Sequence, residues 1–452
     1  MSGEQLGLAE AVAMALGGMI GGGIYAVLGV VAELTTYATW VAFVVAGVVA
    51  LGAAYSYNAL NRLADDRGGS VTFVQSFTGN STLAGMTGWT LLVGYVGSMA
   101  MYAFAFGEFA VAFAAVPDSL AGLPARPVIS VLAVAGFVGL NVLGARTTGV
   151  AENVLVAAKV AILVGFGVLG IVYATGASGS GLRFGVSKLT GFGPVVAAAI
   201  SFVAFQGWQL LFYDQDSIAD PVETIRKGVY ISIPAAVAVY VLVGVVTVNL
   251  APEALQSHPH VALKDAARQM TTPYGLATAG GVVLALSALF STGSAINATL
   301  FSAAHFAKGL LTDDLLPDRI GSGDADGVPE RTVLVLGAVT AAFTVVGSLG
   351  AITSFASLSF IVVFGAMSWL AFQQRDHESV NPVPPLLGVV GAAAFFPLML
   401  WNLYTREPET FGLVVVVAAV VIAVELLYFE HERLETDIVQ AEAAVPGVDA
   451  DS

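Results

Sequence analysis

Cysteine is absent from the chain, which rules out disulfides, thiolate metal ligands and cysteine nucleophiles. Charge is scarce: only 11% of the 452 residues are Asp, Glu, Lys or Arg, against roughly 25% in an ordinary globular domain. Positive charge is scarcer still. Lysine and arginine number 17 against 32 acidic residues, a formal net charge of −15, so no nucleic-acid partner is expected. The sequence holds no H-E-x-x-H, no G-x-S-x-G elbow and no paired aspartates inside an apolar run, so the commonest hydrolytic machinery is missing. The expectation is a protein that is not an enzyme and uses neither cofactor nor metal.

What is present is apolar surface. Hydrophobic residues make up 57% of the chain and mean hydropathy is +0.84, the composition of a polytopic protein whose first partner is the lipid bilayer. The 51 glycines suit helices that pack closely in a membrane. Twelve stretches reach spanning length once tilt is allowed: 7–31, 38–61, 83–115, 127–145, 151–174, 191–218, 228–250, 276–310, 332–350, 352–372, 385–402 and 411–429. The fold class is therefore all-α, with twelve transmembrane helices. The first run is too long for the apolar core of a secretory signal and lacks a basic flank. With the N-terminus inside, ten lysines and arginines fall in inner segments and six in outer ones, a bias that puts both termini in the cytoplasm. The acidic excess must decorate loops and tail, and reads either as adaptation to concentrated salt or as a solubilising surplus. Residues 251–275 form an outer connection with a short amphipathic helix over 261–270, and the acidic tail 431–452 reads as disordered.

Two spans carry glycine where a helix is least able to use it. Gly21, Gly22 and Gly23 lie together inside the first run, each weakening a helix by roughly 1 kcal/mol relative to alanine, so a break is expected there. The sixth span contains Phe202-Val-Ala-Phe-Gln-Gly-Trp-Gln209, in which Gly207 sits among two amides and an indole. Broken backbone at membrane depth is tolerated only where protein or a watery cavity receives its polar groups. Helices one to five (7–174) and six to ten (191–372) would each open with an interrupted helix, which fits a five-plus-five inverted repeat followed by two extra helices (385–429). The transporter domain would run over 1–430. A half-helix starting near Gly22 would offer free N–H groups to a carboxylate, and one ending near Phe205 would offer carbonyls to an ammonium; an α-amino acid carries both groups on one carbon.

At these residues the sequence resembles the amino acid-polyamine-organocation family of secondary transporters, which have the LeuT-type fold. Ile20-Gly21-Gly22-Gly23-Ile24-Tyr25 resembles that family's I-G-S/A-G-I-F, and Phe202 to Gln209 resembles its F-F-A-Y-x-G-F-D/E. Asp216 to Pro221 with Ile225 and Lys227 resembles E-E-x-x-N-P then I-P-R-A, and the stretch from Asn297 to Pro317 resembles the long eighth helix with its R-D-G-L-L-P close. The resemblance implies that Gly21, Gly22, Gly23 and Ile24 receive the carboxylate and Val203, Ala204 and Phe205 the amine. Gly207, Trp208 and Asn297 complete the expected pocket, with Tyr102 and Trp208 as gates. Gln209 stands where many relatives carry an acid, Ser217 replaces a second glutamate, and Val203 replaces a bulky aromatic; these departures argue against a cationic substrate.

Lys159 lies about nine residues into the fifth span, roughly 13 Å deep, where a lysine costs roughly 2.5 to 3.5 kcal/mol on insertion scales. The resemblance places such a lysine where sodium-coupled relatives hold their ion, near Gly18 and the eighth helix, whose Ser287, Ser291 and Ser294 share one face. A buried lysine can exchange a proton during a cycle. The expected function is alternating-access import of an amino acid, or alternatively an amine or an exchanged metabolite, coupled to a proton at the plasma membrane, by a monomer or homodimer. A sensor with a transporter fold is the rival from another class. Glu108 is expected either at the outer mouth or in a local pair, Asp214 and Asp216 in an inner charge network, and His305 in a helix-end contact.

Overall fold

The structure, a computed structural model, describes residues 5–64, 67–113, 116–143, 149–177, 181–313, 315–316 and 329–424. The acidic tail, the join at 145–148 and most of the inner loop 313–330 lie outside the described residues.

Helices cover most of the described part of each predicted apolar run except the sixth, where the helix ends at Ser201. In order come α1 (Leu8–Thr35), α2 (Thr39–Leu63), α3 (Ser70–Thr78), α4 (Ser81–Val111), α5 (Ala125–Val142), α6 (Gly149–Val172), α7 (Gly193–Ser201) and α8 (Pro221–Leu250). Then follow α9 (Ala254–Ser257), α10 (Ala262–Thr271), α11 (Ala277–Thr312), α12 (Glu330–Val346), α13 (Leu349–Gln373), α14 (Val383–Arg406) and α15 (Pro408–Val424). Among the described residues eight helical segments are long and apolar enough to cross a membrane, one of them, Leu8–Leu63, comprising α1 and α2 across a single tight turn. The short helix α3 was not evident in the sequence: nine residues carry too little apolar periodicity to separate it from a loop. The short amphipathic helix is where periodicity puts it, with Leu263, Ala266, Ala267 and Met270 buried along one face of α10.

Packing explains why the apolar pattern is nearly continuous rather than amphipathic. α1 is central, packed against α4, α6, α7, α8 and α11, and α4 packs in turn against α11 and α13. Its residues from Met19 to Ala32 are buried without interruption. α5, α6, α14 and α15 instead present large apolar side chains outward, such as Leu132, Val154, Leu169, Trp401 and Val416. On a water-facing protein such a belt would aggregate; it fits a multi-pass membrane protein.

The expected break in the first helix does not occur. α1 runs unbroken from Leu8 to Thr35, and Gly21, Gly22 and Gly23 all have negative φ. Their missing side chains serve close packing: Gly21 faces Ala295 and the Ser291 carbonyl of α11, Gly22 lies under the ring of Tyr102, and Gly23 faces Ala204. A helix keeps its hydrogen-bond ladder through glycine when tertiary contacts hold it on every side, and those contacts exceed the roughly 1 kcal/mol per residue that propensity removes. The sixth span does break. α7 stops at Ser201, a 3-10 turn covers Phe202–Phe205, Gln206 is extended, Gly207 takes φ 131°, and a second 3-10 turn covers Trp208–Phe212.

Candidate functional site

The break is held by groups from three other helices. On α13, Ser357 Oγ donates to the Ile200 carbonyl at 2.6 Å and accepts from the Val203 amide at 3.0 Å, covering the end of α7. On α8, the Tyr240 hydroxyl lies 2.8 Å from the Ala204 carbonyl and 2.6 Å from the Met19 carbonyl of α1. A phenol has one proton, so the two carbonyls share one donor. Nothing in the sequence marked Ser357 or Tyr240; a serine and a tyrosine inside apolar spans read as packing until the break they serve is located.

On the other side of Gly207 the polar groups are amides. Gln206 Nε2 donates to the Tyr102 hydroxyl at 2.6 Å, Gln209 Oε1 accepts from the Gly207 amide at 2.6 Å, and Gln209 Nε2 approaches Gln206 Oε1 at 3.4 Å. The Tyr102 ring covers Gly22, so this one side chain spans the space between α1 and the break. Trp208 is fully buried against Tyr57, Phe212 and Phe364, and its Nε1–H finds no partner among the described residues. Gly21, Gly22, Gly23, Ala204, Gly207, Gly18 and Tyr102 are thus gathered at one place.

Lys159 on α6 is buried and donates to Ser294 Oγ of α11 at 3.0 Å, and that hydroxyl donates on to the Ser291 carbonyl. One turn away Tyr25 pairs with Ser287 at 2.8 Å. Lys159 thus meets α11 at Ser294, while Ser287 is engaged by Tyr25. Asn297 is engaged from the α5 side, accepting from Asn141 Nδ2 at 2.8 Å, so it looks along α5 rather than being tied to the break.

The end of the bundle where α1 begins is closed by backbone. The Leu6 amide donates to the Ser217 carbonyl at 2.8 Å and the Ala219 amide donates to the Leu6 carbonyl at 3.0 Å, a parallel bridge between the residues before α1 and those after the break. Around it Arg67 pairs with Asp216 at 3.5 Å, Asp214 accepts from Ser217 Oγ at 2.7 Å, and Gln215 Nε2 reaches Asn61 Oδ1 and the Gly68 carbonyl. Asp214 and Asp216 thus belong to a polar network at this end of the bundle. His305 Nδ1 lies 2.9 Å from the Phe301 carbonyl one turn earlier in α11, a contact within the helix rather than at its end. At the other end Glu108 pairs with Arg126 at 3.9 Å, and the Arg126 guanidinium lies 3.8 Å over the Phe104 ring, against whose edge His260 packs. Burial and the Arg126 charge hold the His260 imidazole below its ordinary pKa.

Comparison with known proteins places these features in a wider set. A family model described as amino acid permease matches residues 6–424. An inner membrane transport protein of Escherichia coli, YbaT, is 27% identical over 89% of this chain and 92% of its own. An uncharacterized protein of Methanocaldococcus jannaschii is 29% identical over 70% of each chain. A protein of Mus musculus named cationic amino acid transporter 4 is 24% identical over 84% of this chain and 61% of its own.

Proposed function

Because the chain belongs to the amino acid permease family, and is therefore a membrane transporter and not an enzyme, we propose that it imports an amino acid together with a proton by alternating access. The observation that carries the coupling is Lys159, the one charged side chain among the buried described residues, hydrogen-bonded at 3.0 Å to the α11 face that packs on α1. A lysine kept out of water can lose its proton at far lower cost than one in solvent, and its hydroxyl partner accepts a hydrogen bond from either form.

The substrate amine is received at the break. Tyr240 brings one proton to two carbonyls, Met19 and Ala204, whereas an ammonium brings three N–H donors to the same pair. Val203, Ala204 and Phe205 supply the broken end of the helix, and Gly21 to Ile24 supply the α1 surface against which the substrate lies. Tyr102 covers that surface and is the gate: its displacement frees both the backbone of Gly22 and the Gln206 amide. Trp208 Nε1–H is a buried donor available to a substrate oxygen.

In this reading twelve helices cross the plasma membrane, with 7–174 and 191–372 as inverted repeats, 385–429 as the two additional helices and 431–452 as a cytoplasmic tail. The Leu6–Ile218 bridge then closes the cytoplasmic path. Uptake of labelled amino acids into proteoliposomes under an inward pH gradient tests the reading. Accumulation that collapses with an uncoupler supports it; accumulation that needs sodium and ignores pH overturns the coupling, and no uptake of any amino acid overturns the function.

A further inference from the structure

Among the described residues, the buried polar side chains are serine, threonine, asparagine, glutamine and one lysine; not one is Asp or Glu. The groups that meet at the break are amides and hydroxyls: Gln206, Gln209, Tyr102, Tyr240 and Ser357, all buried. The carboxylates nearest in sequence, Asp214 and Asp216, are turned to the inner surface, where Ser217 and Arg67 hold them.

From this we infer that the transported amino acid is one whose side chain is uncharged, an inference that rests on the amino acid reading of the same site. The α-amine and α-carboxylate are common to all amino acids and cannot discriminate. A side-chain ammonium or guanidinium brought to the break would meet amides and hydroxyls, with no buried carboxylate among the described residues to accept it. Ion burial without a partner is strongly unfavourable, and the amide dipoles of Gln206 and Gln209, already bonded to each other and to Tyr102 and Gly207, replace only part of the lost hydration. A side-chain carboxylate meets a related obstacle: it would compete with the substrate's own α-carboxylate for the same few donors. An apolar or hydroxyl side chain needs no compensating charge. The chain would thus differ in specificity from those relatives that are named for cationic amino acids.

Purified full-length protein, titrated with alanine, leucine, serine, glutamate, lysine and arginine and read by ligand-induced thermal stabilisation, tests this. The expected result is saturable stabilisation by one or more of the neutral amino acids, with lysine and arginine at least about a hundredfold weaker. Gln209→Glu places a carboxylate beside Gln206 and is expected to narrow that ratio at least about tenfold, mainly by improving lysine or arginine. Stabilisation by lysine, arginine or glutamate equal to that by the best neutral amino acid overturns the inference while leaving amino acid transport standing. Failure of all six, together with absence of their uptake by proteoliposomes, overturns the amino acid reading itself.

Discussion

Gly18 on α1 and Gly207 at the break meet backbone to backbone: a β-carbon on Gly18 would lie 2.7 Å from the Gly207 α-carbon, and one on Gly207 would lie 2.7 Å from the Gly18 carbonyl carbon. The contact joins the unbroken helix to the broken one at the level of the proposed site. Gly207 also holds φ 131°, a conformation that side chains rarely adopt. Gly207→Ala is therefore expected to cost about 1–3 kcal/mol from backbone strain alone, and Gly18→Ala a comparable amount from overlap. Gly136→Ala, where an added methyl meets nothing within 4 Å, is the control. Thermal unfolding in detergent reads all three; equal midpoints for Gly207→Ala and Gly136→Ala would show that the contact is not tight.

Lys159 is tested by separating coupling from binding. Lys159→Ala is expected to lower pH-driven accumulation by at least about tenfold, the loss of roughly 1.4 kcal/mol of driving force. Substrate counterflow, which needs no net proton movement, should persist. Accumulation at the wild-type level would remove Lys159 from the coupling step.

The bridge between Leu6 and Ile218 offers a lock. Paired residues on adjacent strands lie within the span a disulfide requires, and the chain has no other cysteine to confuse the result. Leu6→Cys with Ile218→Cys is expected to crosslink on oxidation, to stop uptake and to release it on reduction. Full uptake by the oxidised protein would mean that this contact need not open.

Tyr240→Phe removes the one proton shared by the Met19 and Ala204 carbonyls. Leaving buried carbonyls short of a donor costs about 1–3 kcal/mol, so the unliganded variant should melt lower. A bound ammonium restores donors to both carbonyls, so substrate should stabilise the variant more than it stabilises wild type. A smaller ligand-induced shift in the variant would place the amine elsewhere.

His260 supplies the pH dependence. Its imidazole is partly buried against Phe104 near Arg126, and both that burial and the Arg126 charge depress its pKa below 6.5. The folded state then binds the proton less readily than the unfolded chain does, so the associated stability is complete above pH 6.5 and is lost as pH falls through the folded value. Wild-type melting temperature should fall more steeply below pH 6.5 than that of His260→Gln. Parallel curves would show that the outer packing tolerates the imidazolium.

Length and apolarity were enough to locate most of the long helices, because spanning a bilayer demands some twenty apolar residues whatever their partners. The bend at Gly207 was legible for a similar reason, since amides flanking a glycine have no other place in hydrocarbon. The glycine triplet was misread because three glycines lower helix propensity equally whether the chain breaks or a neighbour packs close, and only the positions of Tyr102, Ala204 and Ala295 decide. The same limit hid Tyr240 and Ser357. Their role depends on which carbonyl lies opposite, and that is a property of tertiary packing that no local pattern records.

The buried charge also has an electrical meaning. Protonation of Lys159, a buried side chain, changes its charge by one full unit. A cycle that carries a zwitterion of no net charge together with that proton moves one elementary charge across the bilayer. The membrane potential then drives accumulation in its own right, by about 2.3 kcal/mol for each 100 mV, roughly fiftyfold in concentration ratio, even where the two sides share the same pH.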